Sequence, residues 1–214
     1  MGAKAALAKQ NIKCMVAGHM ECPKDDVAIL QFLYDFVDEY RNSSEIFHSA
    51  TIIFKGPDLL SEEGFDELLW KRLQALEDLD KINFDCDKRV SADPSSVNFS
   101  FSLKEEAFFI IGMHPASSRK ARQFKYPTLA FNPHAQFEKL KASDRYEMMK
   151  AVVRKRDIAF SGSVNPMLSD FGESSESRQY SGRNYQDQWQ CPLNTEHAQN
   201  EHHSAPYRCF LYIE

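Results

Sequence analysis

The sequence predicts a single α+β domain, a mixed or antiparallel sheet packed with several helices and followed by a loop-rich C-terminal segment. Three observations carry this. Segments with apolar residues 3 and 4 apart come first, period-2 segments occupy the middle, and another helical segment follows. That order favours α+β over repeated βαβ units. The chain has 214 residues, and a chain of this size buries about 70% of its unfolded surface without disulfide staples. From Gly162 onward the periodicity fades into Gly, Ser, Asn, Gln and Arg, while Met167, Leu168, Phe171, Tyr180 and Trp189 remain as apolar anchors. Residues 1–193 are assigned to the domain, and the polar residues 194–214, with three histidines, to a loosely held tail.

Each element has its own signal. Ala6, Leu7, Ile12, Met15 and Val16 among lysines predict an amphipathic helix over residues 3–17. Asp25 or Asp26 caps a second helix with Val27, Leu30, Leu33, Tyr34 and Val37 inward. Residues 48–54 are β-branched and aromatic, as a strand requires, and Lys55-Gly56-Pro57-Asp58 turns the chain. Ser61 reads as an N-cap, with Glu62 and Glu63 where a helix dipole favours acids, ahead of the stripe Phe65, Leu68, Leu69, Leu73 and Leu76. Val97, Phe99, Phe101 and Leu103 alternate with polar residues and predict a strand. Lys104-Glu105-Glu106 turns it into a partner, Ala107 to Met113, that reads as buried on both faces. Leu129 to Phe131 suggests a short strand. Ser143 to Phe160 suggests a helix with Tyr146, Met149, Val152 and Val153 inward.

Charge and cysteine usage exclude several classes. With 26 basic and 31 acidic side chains the net charge is −5, which argues against a general nucleic-acid binder. No apolar run approaches the ~20 residues that span a bilayer, so no membrane association is expected. Lys4, Lys9 and Lys13 interrupt the N-terminus too often for a signal peptide. The five cysteines are scattered without a CxxC pair, which suits reduced thiols in the cytoplasm.

The densest polar chemistry begins where a buried strand ends, at Gly112-Met113-His114-Pro115-Ala116-Ser117-Ser118-Arg119-Lys120-Ala121-Arg122. If this segment turns helically, Arg119 and Arg122 share one face and hold a carboxylate or phosphate through bidentate bonds. The alternative is a cap with solvent-facing arginines. In Asn132-Pro133-His134-Ala135-Gln136-Phe137-Glu138, Asn132 can cap and Pro133 suits the first helical position, with His134 as ligand or plain first-turn residue. His114, His134 and Glu138 have the composition of a two-histidine, one-carboxylate iron site. Asp170-Phe171-Gly172 matches a kinase tripeptide, but no glycine-rich loop or catalytic loop accompanies it, so the match is chance. No P-loop, GxGxxG, HExxH or GxSxG occurs.

Taken together, GAKAALAK, DDVAILQFLYDFV, IIFKGPD, FDELLWKRLQAL, FSFSL, FFIIGMHPASSRKARQFKYPTLAFNPHAQFEKL, GSVNPMLSDFGESSESRQYSGRN and WQCP make the chain resemble the YqcI/YcgG family over residues 2–193. The resemblance implies haem b, with O₂ as co-substrate, in an oxygenase that hydroxylates a nitrogen of a small arginine-like or guanidine substrate and draws on an electron donor. On that basis His114 is the first choice for the iron ligand and His134 the second. Arg119 and Arg122 then face the propionates, with Ser117 and Ser118 beside them. Glu138, Asp170 and Glu176 are the candidate carboxylates for a cationic substrate. Residues 162–183 are then expected to form a lid or pocket wall in which Arg178, Tyr180 and Arg183 hold a substrate carboxylate and Asn165 its polar end, the plain alternative being an ordered loop that seals the core. The family pattern places a Pro-Cys segment ahead of GAK, so this chain reads as a shortened member. The competing readings are a haem- or small-ligand-binding protein without turnover, and a structural domain without cofactor.

Overall fold

The computed structural model describes residues 11–58, 61–142, 145–163 and 174–195. Strand β1 (Ile12–His19) is followed by helix α1 (Asp26–Arg41) and strand β2 (Ser49–Gly56). Helix α2 (Glu62–Asp80) leads into strands β3 (Phe101–Leu103), β4 (Glu106–Met113) and β5 (Thr128–Pro133), then helices α3 (Ala135–Ala142) and α4 (Arg145–Ser161). The strands form one mixed sheet in the order β1-β2-β5-β4-β3. β1 and β2 are parallel, and every other pairing is antiparallel. The α+β expectation therefore holds, with five strands and four α-helices among the described residues.

Two segments depart from their local pattern. Residues 12–17 lie in strand β1 rather than in the helix expected over 3–17, whose first part lies outside the described residues. The β-branched and aliphatic side chains Ile12, Met15 and Val16 serve a strand once β2 supplies a parallel ladder, and tertiary pairing outweighs helix propensity. Only Phe101–Leu103 of the strand expected over 97–103 pairs as β3. Phe99 makes an isolated bridge to Ser91, and Val97 is exposed.

The helices follow their stripes closely. Ser61 caps α2, its hydroxyl accepting from Gly64 N at 3.0 Å. Phe65, Leu68, Leu69, Leu73 and Leu76 are all buried, as the stripe requires. Asp25 occupies the N-cap of α1, but its carboxylate accepts from Gly18 N at 2.6 Å instead of capping. Asp26 forms a buried ion pair with Arg72, which ties α1 to α2. In α1, Val27 faces solvent, and Ile29, Phe36 and Tyr40 join Leu30, Leu33 and Val37 in the core. In α4, Val153 is exposed and Val152 half-buried; the side chains of Tyr146 and Met149 lie outside the described set.

β4 organises the layers through the two-residue alternation of a strand. Phe108 meets Phe36 of α1, and Gly112 meets Phe65 and Leu69 of α2, so these two helices share one face. Phe109, pointing the other way, meets Phe137 of α3. The second face is only half-covered, since Phe109, Ile111 and Met113 stay partly accessible; the expectation of burial on both faces is met for one. Beyond the β3 pairing, the free edge of β4 is taken by residues 176–183: Gly112 N donates to Tyr180 O at 2.7 Å. Tyr180 is completely buried, and its hydroxyl accepts from Phe101 N at 3.1 Å.

The chain ordering around Gly112 leaves no room for a side chain. An added Cβ would lie 2.8 Å from Leu69 Cδ1, 2.8 Å from Phe65 Cε1 and 2.9 Å from Tyr180 O. Gly112→Ala is expected to lower unfolding free energy by about 1–3 kcal/mol, the usual cost of overpacking. Chemical denaturation measures this, and an unchanged midpoint would show that the contact yields freely.

Candidate functional site

His114 continues the inward alternation of β4 one step past the strand. Its ring lies in the layer of Phe108, Ile110 and Gly112, stacked on Phe65 at 4.3 Å between centroids and 22° between planes. The loop that follows closes over it. His114 N donates to Arg122 O at 3.0 Å, and His114 O accepts from Phe124 N at 3.3 Å. The side chain is 0% exposed. Among the described residues neither Nδ1 nor Nε2 has a hydrogen-bond partner. Burial pushes the imidazole pKa below its ordinary value, opposed weakly by the Glu62 charge, so the ring is neutral in the fold.

The neighbours expected to serve a cofactor are committed elsewhere. Arg119 Nη2 donates to both Asp157 oxygens at 2.7 Å, pinning the loop to α4, and to Ser163 O at 3.2 Å. Arg122 donates to Gly112 O at 3.1 Å, Tyr180 O at 3.3 Å and Gln179 O at 3.0 Å. Burial pushes the Arg122 pKa down to about 10. The two guanidinium groups diverge instead of sharing a face, because each finds protein oxygens of its own. Ser117 Oγ accepts from Arg119 N at 3.3 Å, and Ser118 donates from N and Oγ to Glu62 Oε1 at 3.1 and 2.9 Å.

His134 lies at the other end of the sheet. Phe108 pairs with Pro133 and Met113 with Thr128, and His134 N donates to Ala107 O at 2.7 Å. The path from Ala107 along β4 to His114 is seven residue steps, about 23 Å at strand rise. His114, His134 and Glu138 therefore cannot share one iron, which corrects the two-histidine, one-carboxylate expectation. Among the described residues no group of three His, Cys, Asp or Glu side chains converges as a metal site. His134 Nε2 lies 3.3 Å from Glu176 Oε1, and Ser100 Oγ donates to Glu176 Oε2 at 3.1 Å. Glu138 is exposed and pairs with Lys141 at 3.1 Å. Glu138 and Glu176 thus belong to the His134 end, far from His114.

The C-terminal segment joins the two ends. Glu176 touches His134, Tyr180 fills the core beside β4, and Arg183 reaches Glu63 at 3.3 Å and Asp66 at 3.5 Å on α2. Arg178 holds the following loop, donating to Gln186 O at 2.8 Å and lying over the Trp189 ring. Arg178, Tyr180 and Arg183 therefore make internal contacts where substrate contacts were expected. Asn165 and Asp170 lie outside the described residues. Sequence reading missed Arg89, Glu62 and Asp66, whose loop and helix settings look like ordinary surface charge. Gln74 and Ala92 hold Asn194 and Thr195, the first residues of the expected tail; residues 196–214 lie outside the described set.

Comparison with known proteins now bears on this arrangement. The YqcI/YcgG family model matches residues 1–194. The chain belongs to the YqcI/YcgG family. It is 30% identical over 157 residues to the Bacillus subtilis (strain 168) protein named "Uncharacterized protein YqcI", covering 69% of this chain. It spans 61% of the length of that curated relative. No solved structure matches it. No helix among the described residues is long and apolar enough to cross a membrane.

A buried polar ring without partners lowers stability, by about 1–3 kcal/mol for such groups. His114→Leu is expected to raise the stability of the cofactor-free protein. Because burial lowers the folded pKa, below about pH 6.5 the unfolded chain binds a proton that the folded chain does not, so stability falls as pH falls. Urea denaturation at pH 5 and pH 7.5 should show this loss in the parent and less of it in His114→Leu. Equal losses in the two proteins would place the titration elsewhere.

Proposed function

We propose that this YqcI/YcgG protein is a haem-dependent oxygenase that hydroxylates a nitrogen of a small arginine-like or guanidine substrate, with His114 as the iron donor. The observation that carries the reading is the buried His114 imidazole, held neutral, with both ring nitrogens lacking hydrogen-bond partners among the described residues. That is the form in which histidine binds a metal. The donor chemistry fits haem iron. Arg119 and Arg122 do not fit as propionate partners, since protein oxygens already occupy them, and the reading assigns them the task of fixing the His114 loop. When bound, haem supplies the one-electron and O₂ chemistry, and the protein supplies position and electrostatics.

The chain's own residues do three things at this end. Phe65 fixes the plane of the imidazole by stacking. Asp157 through Arg119, and the carbonyls of Gly112, Gln179 and Tyr180 through Arg122, anchor the loop that carries it. On the first turns of α2, Arg183 offsets Glu63 and Asp66, and Glu62, met by the Ser118 amide and hydroxyl, is the acid at this end that favours a cationic guanidinium over an anionic substrate.

Expression with ample haem supply is the test. The parent should copurify with near-stoichiometric haem and a Soret band, and His114→Leu should fold with that band lost or shifted. Arginine turnover with a reductant then separates an enzyme from a haem-binding protein without turnover. A parent that folds but takes up no haem defeats the reading. Identical haem content and spectrum in parent and His114→Leu would remove His114 from the role.

A further inference from the structure

The far end of the sheet holds an open cleft of about 620 Å³ between the loop after α2 and the start of α3. Arg89, Ser91, Asn98, His134, Ala135 and Glu138 line it. Its volume lies within the roughly 300–1,000 Å³ of small-molecule pockets. None of the chemistry proposed at His114, about 23 Å away along β4, uses it.

Arg89 is the built element of this cleft. Its Nε donates to Asp87 Oδ1 at 2.9 Å, and its Nη2 donates to Asp87 Oδ2 at 2.5 Å and to Glu106 Oε1 at 2.9 Å. Asp87 and Glu106 are both buried, and Asp87 Oδ2 also accepts from Ala107 N at 2.9 Å, so the fork is locked to β4. These bonds leave Nη1 without an acceptor among the described residues, on a side chain that is 54% exposed. A guanidinium fixed on two sides and open on the third is preorganised for a carboxylate oxygen.

The surrounding charges narrow the ligand. Asp87 and Glu106 are offset by Arg89 and by Arg41, which lies 3.5 Å from Glu106, and Glu138 across the cleft is offset by Lys141, so the fixed charges balance and a monoanion is opposed less than a dianion. Glu138 and the Asn98 side chain offer acceptors for a hydroxyl or ammonium next to the carboxylate. His134, backed by Glu176, forms the polar floor, and Val90 and Ala135 supply the apolar wall.

We propose that this cleft is a binding site for a small monoanionic carboxylate bearing a neighbouring hydroxyl or amino group, held through Arg89 Nη1 and oriented by Asn98 and Glu138. The site is separate from the proposed haem position and does not depend on it. Titration calorimetry on the full chain with lactate and with L-serine tests it, using inorganic phosphate at pH 8 as the dianionic control. At least one of the two carboxylates should bind saturably, whether or not the preparation carries haem. Arg89→Lys, which keeps the charge and loses the fork, should weaken it about tenfold. Ala135→Trp, which fills the cleft and leaves Arg89 untouched, should weaken it at least as much and decides the matter if Arg89→Lys fails to fold. Absence of saturable binding by both carboxylates overturns the proposal. So do unchanged affinity in Ala135→Trp and tighter binding of phosphate than of either carboxylate.

Discussion

The bond from Gly112 N to Tyr180 O is the constraint on which the rest of the arrangement depends. It closes the edge of β4 that β3 leaves open, and it brings the C-terminal segment against the sheet at the position where α2 packs on it. Three elements meet at one residue because that residue has no side chain. Tyr180 then enters the core and takes a backbone donor from β3, so the strap is part of the fold and not a loose cover.

From this junction the two ends of β4 acquire opposite characters. At one end His114 follows the strand's alternation into an apolar layer and meets Phe65, with no polar atom at its ring nitrogens. At the other end His134 is met by the Glu176 carboxylate, delivered by the same strap shortly before Tyr180. One imidazole is kept neutral and unpartnered by desolvation; the other is oriented by an acid. The first arrangement suits a metal donor and the second the floor of a polar cleft. The strap reaches both ends, through Glu176 at His134 and through the Arg122 bonds that hold the His114 loop.

The loops show why charged residues were harder to read than apolar ones. Arg119, Arg122 and Arg178 are arginines that a sequence reader assigns to anions, yet their acceptors are Asp157 on a distant helix and backbone carbonyls such as those of Gly112, Gln179 and Gln186. A guanidinium has five donors and accepts any well-placed oxygen, so its partner is a matter of tertiary geometry. Arg89 illustrates the converse. It sits in a polar stretch with no motif around it, and its site arises because Asp87 and Glu106 meet it from two segments.

By itself the sequence determined the α+β class, the N-cap and buried stripe of α2, the period-2 hairpin strands and the family. Those follow from local spacing and from residue types that burial demands, which the chain carries without reference to distant partners. Only the tertiary structure decided that residues 12–17 are a strand, that His114 and His134 stand at opposite ends of the sheet, and that Tyr180 belongs to the core. A strand needs a neighbour to complete its hydrogen bonds, and a side chain's role needs the atoms that close around it. Both come from residues far away in sequence, brought together by the packing of α2 and the strap on β4.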